Sequence, residues 1–148
     1  MKPKIFIDMD GVIVDFNKAW DESGLDVDTF IRTEGTFKNM KPIKDAIDSI
    51  NKLIEMDYDV FIATKPPTGY AQAYFEKAQW VFDNLPLLTK KLIITPDKGL
   101  LGSSNDFLID DRPFAANCKE FPGTLIEFNA NTSWVQLVEF FRVYLQII

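Results

Sequence analysis

An α/β sandwich built on a central, mainly parallel sheet is the fold class that this sequence predicts, and three observations predict it. The chain has 148 residues, the size of one domain. Short apolar runs rich in Ile, Val and Phe recur along it, each within the range of about four to eight residues typical of buried strands. Amphipathic helical patterns lie between those runs. Alternation of buried strand and helix is what a parallel sheet covered on both faces requires, and a Rossmann-like three-layer arrangement follows.

The strands are expected at Lys4–Asp8, Asp59–Ala63, Leu92–Thr95, Phe107–Asp110 and Thr124–Phe128. Ile43, Ala46, Ile47, Ile50, Leu53 and Ile54 recur at helical spacing and make one apolar face from about Pro42 to Met56. Pro42 suits the first turn of that helix. A second helix is expected from Tyr70 to Asn84, ending before Pro86. The last runs from about Ser133 to the C-terminus, with Asn131, Thr132 and Ser133 as the cap signal. The segment Phe16 to Lys41 breaks the rhythm, mixing Trp20, Phe30 and Phe37 with charges and glycines. It is too long for an ordinary connection and reads as a small, partly helical cap insert at about 16–41. The chain is otherwise expected to be one domain over 1–148, without repeats or linkers.

Bulk composition narrows the function. The 47% hydrophobic and 26% charged residues are those of a globular domain. A formal net charge of −6 argues against a non-specific nucleic-acid binder, because phosphate contacts need an excess of Lys and Arg. A small anionic substrate is still compatible with it if a metal and a lysine neutralise the charge locally. The single cysteine, Cys118, excludes an internal disulfide and fits a reducing cytosol. No apolar run approaches the about 18 residues of a membrane span, and the N-terminal run is too short for a signal peptide. A cytoplasmic protein without membrane contact is expected. There is no histidine, so Ser-His-Asp triads, Cys-His pairs and His-ligated zinc are excluded. Acid–base chemistry must fall to carboxylates, lysine or tyrosine.

Ligands of parallel α/β sheets bind beyond the carboxyl ends of the strands. In "IFIDMDGVIVDF", Asp8 and Asp10 stand where the first strand ends, followed by Gly11. Taken alone, such a pair is equally compatible with solvated loop acids. A calcium hand competes poorly, since its loop needs glycine at the sixth position and here it is fourth. "FLIDDRP" places a second pair, Asp110 and Asp111, at another strand end. By itself, Asp111–Arg112 suits a weak surface ion pair. Two acid pairs on one rim repel unless a cation sits between them. Oxygen-only ligands favour a hard ion, Mg²⁺. In "FIATKPP", Thr64 ends the second strand and can offer its hydroxyl to a phosphate. In "TPDKG", Lys98 can neutralise that phosphate. Lys65 is ambiguous.

The ordered set DMDGV, Thr64, Lys98 and the Asp110–Asp111 pair resembles the haloacid dehalogenase-like phosphohydrolases across nearly the whole chain. Within that superfamily, "DMDGVIVDF", "ATKPP…EKAQWV", "TPDKGLLGSSNDFLIDDRP" and the tail "FN…SW" are most similar to the 5'(3')-deoxyribonucleotidases. The resemblance implies that Asp8 is the nucleophile that forms an aspartyl-phosphate. Asp10 would protonate the leaving alkoxide and then activate water, while Thr64 and Lys98 hold the phosphoryl oxygens. It implies Mg²⁺ on the Asp8 carboxylate, the Asp10 backbone carbonyl and the Asp110–Asp111 pair, with Asp110 preferred as the direct ligand and Asp111 direct or one water removed. Phe16 falls where the family places an aromatic against the base. Two features depart from the family: Lys65 replaces a small hydroxyl residue, and the insert is shorter than the family's helical cap.

The expected function is therefore a Mg²⁺-dependent phosphomonoesterase acting on (deoxy)nucleoside monophosphates. The expected partner is a small-molecule phosphomonoester rather than nucleic acid, and self-association is left open. The alternatives are the same chemistry on a sugar phosphate or polynucleotide end, and a non-catalytic phosphate- or metal-binding module.

Overall fold

The computed structural model describes residues 2–148. Five parallel strands form one sheet in the order β3-β2-β1-β4-β5. They are β1 (Lys4–Ile7), β2 (Asp59–Thr64), β3 (Leu92–Ile94), β4 (Phe107–Asp110) and β5 (Thr124–Glu127). The helices are α1 (Phe16–Ser23), α2 (Val27–Ile31), α3 (Ala46–Glu55), α4 (Ala71–Asn84) and α5 (Trp134–Ile147). The fold is the α/β Rossmann-like one that the sequence predicts, and each strand lies within two residues of its expected bounds.

The two-residue period of the strands divides the core. Ile5 and Ile7 of β1, Val60 and Ile62 of β2, and Phe107 and Ile109 of β4 share one apolar cluster with Ile50 and Leu53 of α3, Trp80 of α4 and Phe141 of α5. The alternate residues Phe6, Ala63 and Leu108 form a smaller cluster with Cys118 and Phe121. That second layer is thin, drawn from the 3-10 turn at Cys118–Glu120 and the residues beside it.

One element starts later than its apolar pattern suggests. α3 begins at Ala46, not Pro42, and Asp45 precedes it with φ +65°. Pro42 instead bridges Val14 in an extended pairing. The amide of Ile43 donates to Ile13 O at 2.8 Å, and that of Asp15 donates to Lys41 O at 2.9 Å. These bonds hold 41–43 extended against the loop after β1, and the helix can turn only beyond them. α5 starts as its cap signal requires, with Ser133 and Gln136 in a reciprocal capping box.

The chain winds from β1 outward to β2 and β3, then crosses back to β4 on the other side of β1. The crevice between the carboxyl ends of β1 and β4 is thus the switch point of the sheet, where open α/β sheets bind ligands. Among the described residues, no helix is long and apolar enough to cross a membrane.

Candidate active site

β1 delivers Asp8 and Asp10 to that crevice on a loop with little freedom. Val12, Ile13 and Val14 are buried in the core. The amides of Val12, Ile13 and Val14 all turn back to Met9 O, and the indole of Trp134 donates to Val12 O at 2.9 Å. Gly11 adopts φ +81°, and a Cβ on it would lie 2.1 Å from Asp111 Oδ2. A side chain at 11 would therefore clash with the second acid pair as well as strain the backbone.

Four acids meet here. Asp8, Asp10, Asp110 and Asp111 line a cavity of about 310 Å³ together with Lys98 and Phe16. Lys98 comes from the 3-10 turn Lys98–Leu100, which Asp97 caps by accepting from the amide of Gly99. Its ammonium donates to Asp8 Oδ1 at 2.7 Å and to Asp110 Oδ2 at 2.6 Å. Burial opposes its charge, but the two carboxylates outweigh burial and hold its pKa above the ordinary lysine value. Burial raises Asp8 well above the usual carboxylate range. Lys98 opposes that shift, while the charges of Asp110 and Asp10 add to it. Burial pushes the Cys118 thiol up to about 12, with Asp110 adding to the shift, so Cys118 stays protonated and is no nucleophile.

A second lysine completes the site, and the sequence reading missed it. Lys77 of α4 has 0% of its surface exposed. It donates to Asp10 Oδ2 at 2.9 Å and to Thr64 Oγ1 at 3.0 Å. Its signal lies in helical phase: Ala73, Lys77, Trp80 and Val81 share one buried face, and a lysine there must have a partner. Thr64 is buried and does not line the cavity, joining the cluster through Lys77. Lys65 does line the cavity and is exposed. Arg112 also lines it, and among the described residues it makes no salt bridge with Asp111, so the surface ion pair is not formed.

The donor set fits a divalent cation. One carboxylate oxygen from each of Asp8, Asp110 and Asp111 falls within a mutual 4.8 Å. Asp8, Asp10 and Asp110 are paired with the buried ammonium groups of Lys98 and Lys77, whereas Asp111 has no such pair among the described residues. The two Asp110 oxygens are already engaged, Oδ1 by the Arg112 amide at 2.9 Å and Oδ2 by Lys98. Among the described residues, Asp111 Oδ1 is buried without a hydrogen-bond partner, as is Asp10 Oδ1. Such an orphaned oxygen is costly unless something else binds it.

The segment 16–41 stands at the mouth. Phe16 opens α1, capped by Asp15, and packs edge-on against Phe30 at 5.4 Å between ring centres while also lining the cavity. Glu76, next to Lys77, fastens the far end of the segment. Its carboxylate accepts from the amides of Gly35, Phe37 and Lys38 at 2.8, 3.0 and 3.1 Å. Burial alone would raise its pKa, but these amides and Gln72 overrule it and hold the carboxyl below the usual glutamate value. A depressed folded pKa gives stability that is fully present above the ordinary value of about 4.3 and is lost as pH falls through the folded one. Amide-exchange protection at Gly35, Phe37 and Lys38 is therefore expected to hold at about pH 5 and to collapse in stronger acid. In Glu76→Gln that step should be absent; a step that survives would place its origin in another group.

The family model for 5' nucleotidase, deoxy (pyrimidine), cytosolic type C proteins matches residues 22–144. The human 5'(3')-deoxyribonucleotidase of cytosolic type is 33% identical over 90 residues, covering 60% of this chain and 44% of that protein. The chain thus spans less than half the length of that relative. A candidate 5'(3')-deoxyribonucleotidase of Vibrio phage KVP40 is 29% identical over 148 residues, covering 94% of this chain and 84% of its own. Among solved structures, the magnesium-bound HAD-hydrolase YfnB of Bacillus subtilis superposes with a TM-score of 0.59 at 12% identity, covering 94% of this chain and 98% of its own. At that identity the likeness is one of fold.

Proposed function

Because the chain belongs to the family of deoxy (pyrimidine), cytosolic type C 5' nucleotidases, we propose that it is a Mg²⁺-dependent phosphomonoesterase hydrolysing (deoxy)nucleoside monophosphates in the cytoplasm. We take it as one haloacid dehalogenase-like domain with a small cap at 16–41. The carrying observation is the convergence of Asp8, Asp10, Lys98, Asp110 and Asp111 at the switch point, with two buried carboxylate oxygens left unpartnered.

In this reading Asp8 attacks phosphorus, forming a bond from its carboxylate oxygen while the bond to the leaving oxygen breaks. Asp10 gives that oxygen a proton, and Oδ1 is the atom free to do so because Oδ2 is held by Lys77. Asp10 then takes a proton from water, which attacks the aspartyl-phosphate and releases Asp8 and inorganic phosphate. Lys98 spends two of its three N–H groups on Asp8 and Asp110, which leaves one for a phosphoryl oxygen. Thr64, which does not line the cavity, joins the site through Lys77. Asp8, Asp111 and the Asp10 carbonyl would hold the Mg²⁺. Asp111 is preferred over Asp110 here, contrary to the sequence expectation, because its Oδ1 is unpartnered while both Asp110 oxygens are taken. Mg²⁺ would supply charge neutralisation between the carboxylate nucleophile and an anionic phosphate.

The test is a panel of nucleoside monophosphates and sugar phosphates assayed with Mg²⁺ and with chelator. Hydrolysis that needs Mg²⁺ and favours the nucleotides is expected. A preference for sugar phosphates would move the assignment to another substrate, and tight phosphate binding without turnover would make the protein a binding module. Phe16→Leu sharpens the substrate half. A base stacked on that ring is worth about 1–3 kcal/mol, so KM for a nucleoside monophosphate should rise by roughly 5–100-fold while turnover of an aryl phosphate stays nearly unchanged. An equal loss on every substrate would assign Phe16 to packing against Phe30 alone.

A further inference from the structure

We infer that Lys77 is a positioning residue that selects which oxygen of Asp10 carries the proton and fixes the Thr64 hydroxyl as a donor; this rests on the acid–base role proposed for Asp10. A lysine ammonium has three N–H groups and no acceptor. At Lys77, one goes to Asp10 Oδ2 at 2.9 Å and a second to Thr64 Oγ1 at 3.0 Å. The ammonium also sits 4.7 Å from the centre of the Phe37 ring, which the cap segment supplies. The ammonium is therefore fully enclosed, with acceptors on the site side and an aromatic face from the cap.

Two consequences follow for the reacting groups. With Oδ2 held, the Asp10 carboxylate cannot exchange its oxygens by rotation, and Oδ1, buried and unpartnered, is the one presented for proton transfer. A hydroxyl that accepts from an ammonium keeps its own hydrogen for another acceptor. Thr64 is thus fixed as a donor. One buried side chain sets both groups. The cap takes part as well, because Glu76, the neighbour of Lys77 on α4, ties down the amides of Gly35, Phe37 and Lys38 on either side of that ring.

The experiment compares Lys77→Met, Asp10→Asn and the double variant on an alkyl phosphate, whose leaving group needs a proton, and on an aryl phosphate, whose leaving group does not. Lys77→Met is expected to lower the rate of aspartyl-phosphate formation from the alkyl phosphate by about 10²-fold, near the lower end for general acid–base catalysis, while the burst rate of phenol release from the aryl phosphate falls by less than about threefold. Residues that act as a unit are not additive, so the double variant should match Asp10→Asn within about threefold. Should Lys77→Met fail to fold, the double variant still decides, since it removes both charges together and leaves no carboxylate buried alone. An equal loss on both substrates in Lys77→Met, or a further tenfold loss in the double variant beyond Asp10→Asn, overturns the inference while leaving the acid assignment standing. Asp10→Asn that treats both substrates alike removes the acid assignment, and the role of Lys77 with it.

Discussion

Asp8→Asn is expected to reduce turnover of every phosphomonoester by on the order of 10⁴–10⁶-fold, the scale seen when a covalent nucleophile is removed. A carboxamide cannot form the acyl phosphate, and no other group in the cavity can replace it. Cys118 is buried and does not line the cavity, and the oxygens of Asp110 are committed to Lys98 and to the Arg112 amide. Asp111 is assigned to the cation in this reading, its carboxylate grouped with those of Asp8 and Asp110. The variant should still fold, because Lys98 keeps its 2.6 Å bond to Asp110. Circular dichroism and the melting temperature check the fold; a stopped assay on an aryl phosphate checks the activity. Activity within tenfold of the wild type would remove Asp8 as nucleophile.

Asp10→Asn should behave differently, with a loss of about 10²–10⁴-fold that depends on the leaving group. An alkoxide needs a proton as it departs, whereas an aryl oxide departs without one, so the second substrate is expected to retain far more of its formation rate for the aspartyl-phosphate. A pre-steady-state burst makes the distinction visible. With an aryl phosphate the variant should show a burst of phenol followed by a slow phase, because water activation also depends on Asp10. The melting temperature should fall as well, since Lys77 is left enclosed with one neutral partner in place of a carboxylate. Identical losses for aryl and alkyl substrates, without a burst, would mean that Asp10 does not carry the proton.

The sheet was legible because its strands are short Ile-, Val- and Phe-rich runs with acids, Thr or Lys at their ends. Asp8, Asp110 and Lys98 could be placed from their order alone, as each sits at or just beyond the carboxyl end of a strand. What the chain pattern does not carry is pairing across the fold. Lys77 and Asp10 are 67 positions apart, and no local signal links them, although the phase of Lys77 on the buried face of α4 marks it as a lysine in need of a partner. The late start of α3 has the same origin. Pro42 is a good first-turn residue, but a tertiary pairing with Val14 holds it extended. The choice between Asp110 and Asp111 likewise depends on which oxygens other groups occupy, and spacing does not encode that.

Phosphate is expected to pass through Asp8 rather than directly to water. The stereochemistry at phosphorus tests this: hydrolysis of a nucleoside phosphorothioate made chiral at phosphorus by two oxygen isotopes, in water of the third isotope, followed by configurational analysis of the released thiophosphate. Two successive in-line displacements, first by Asp8 and then by water activated at Asp10, predict net retention. Net inversion would show a single displacement by water and would remove Asp8 as the nucleophile.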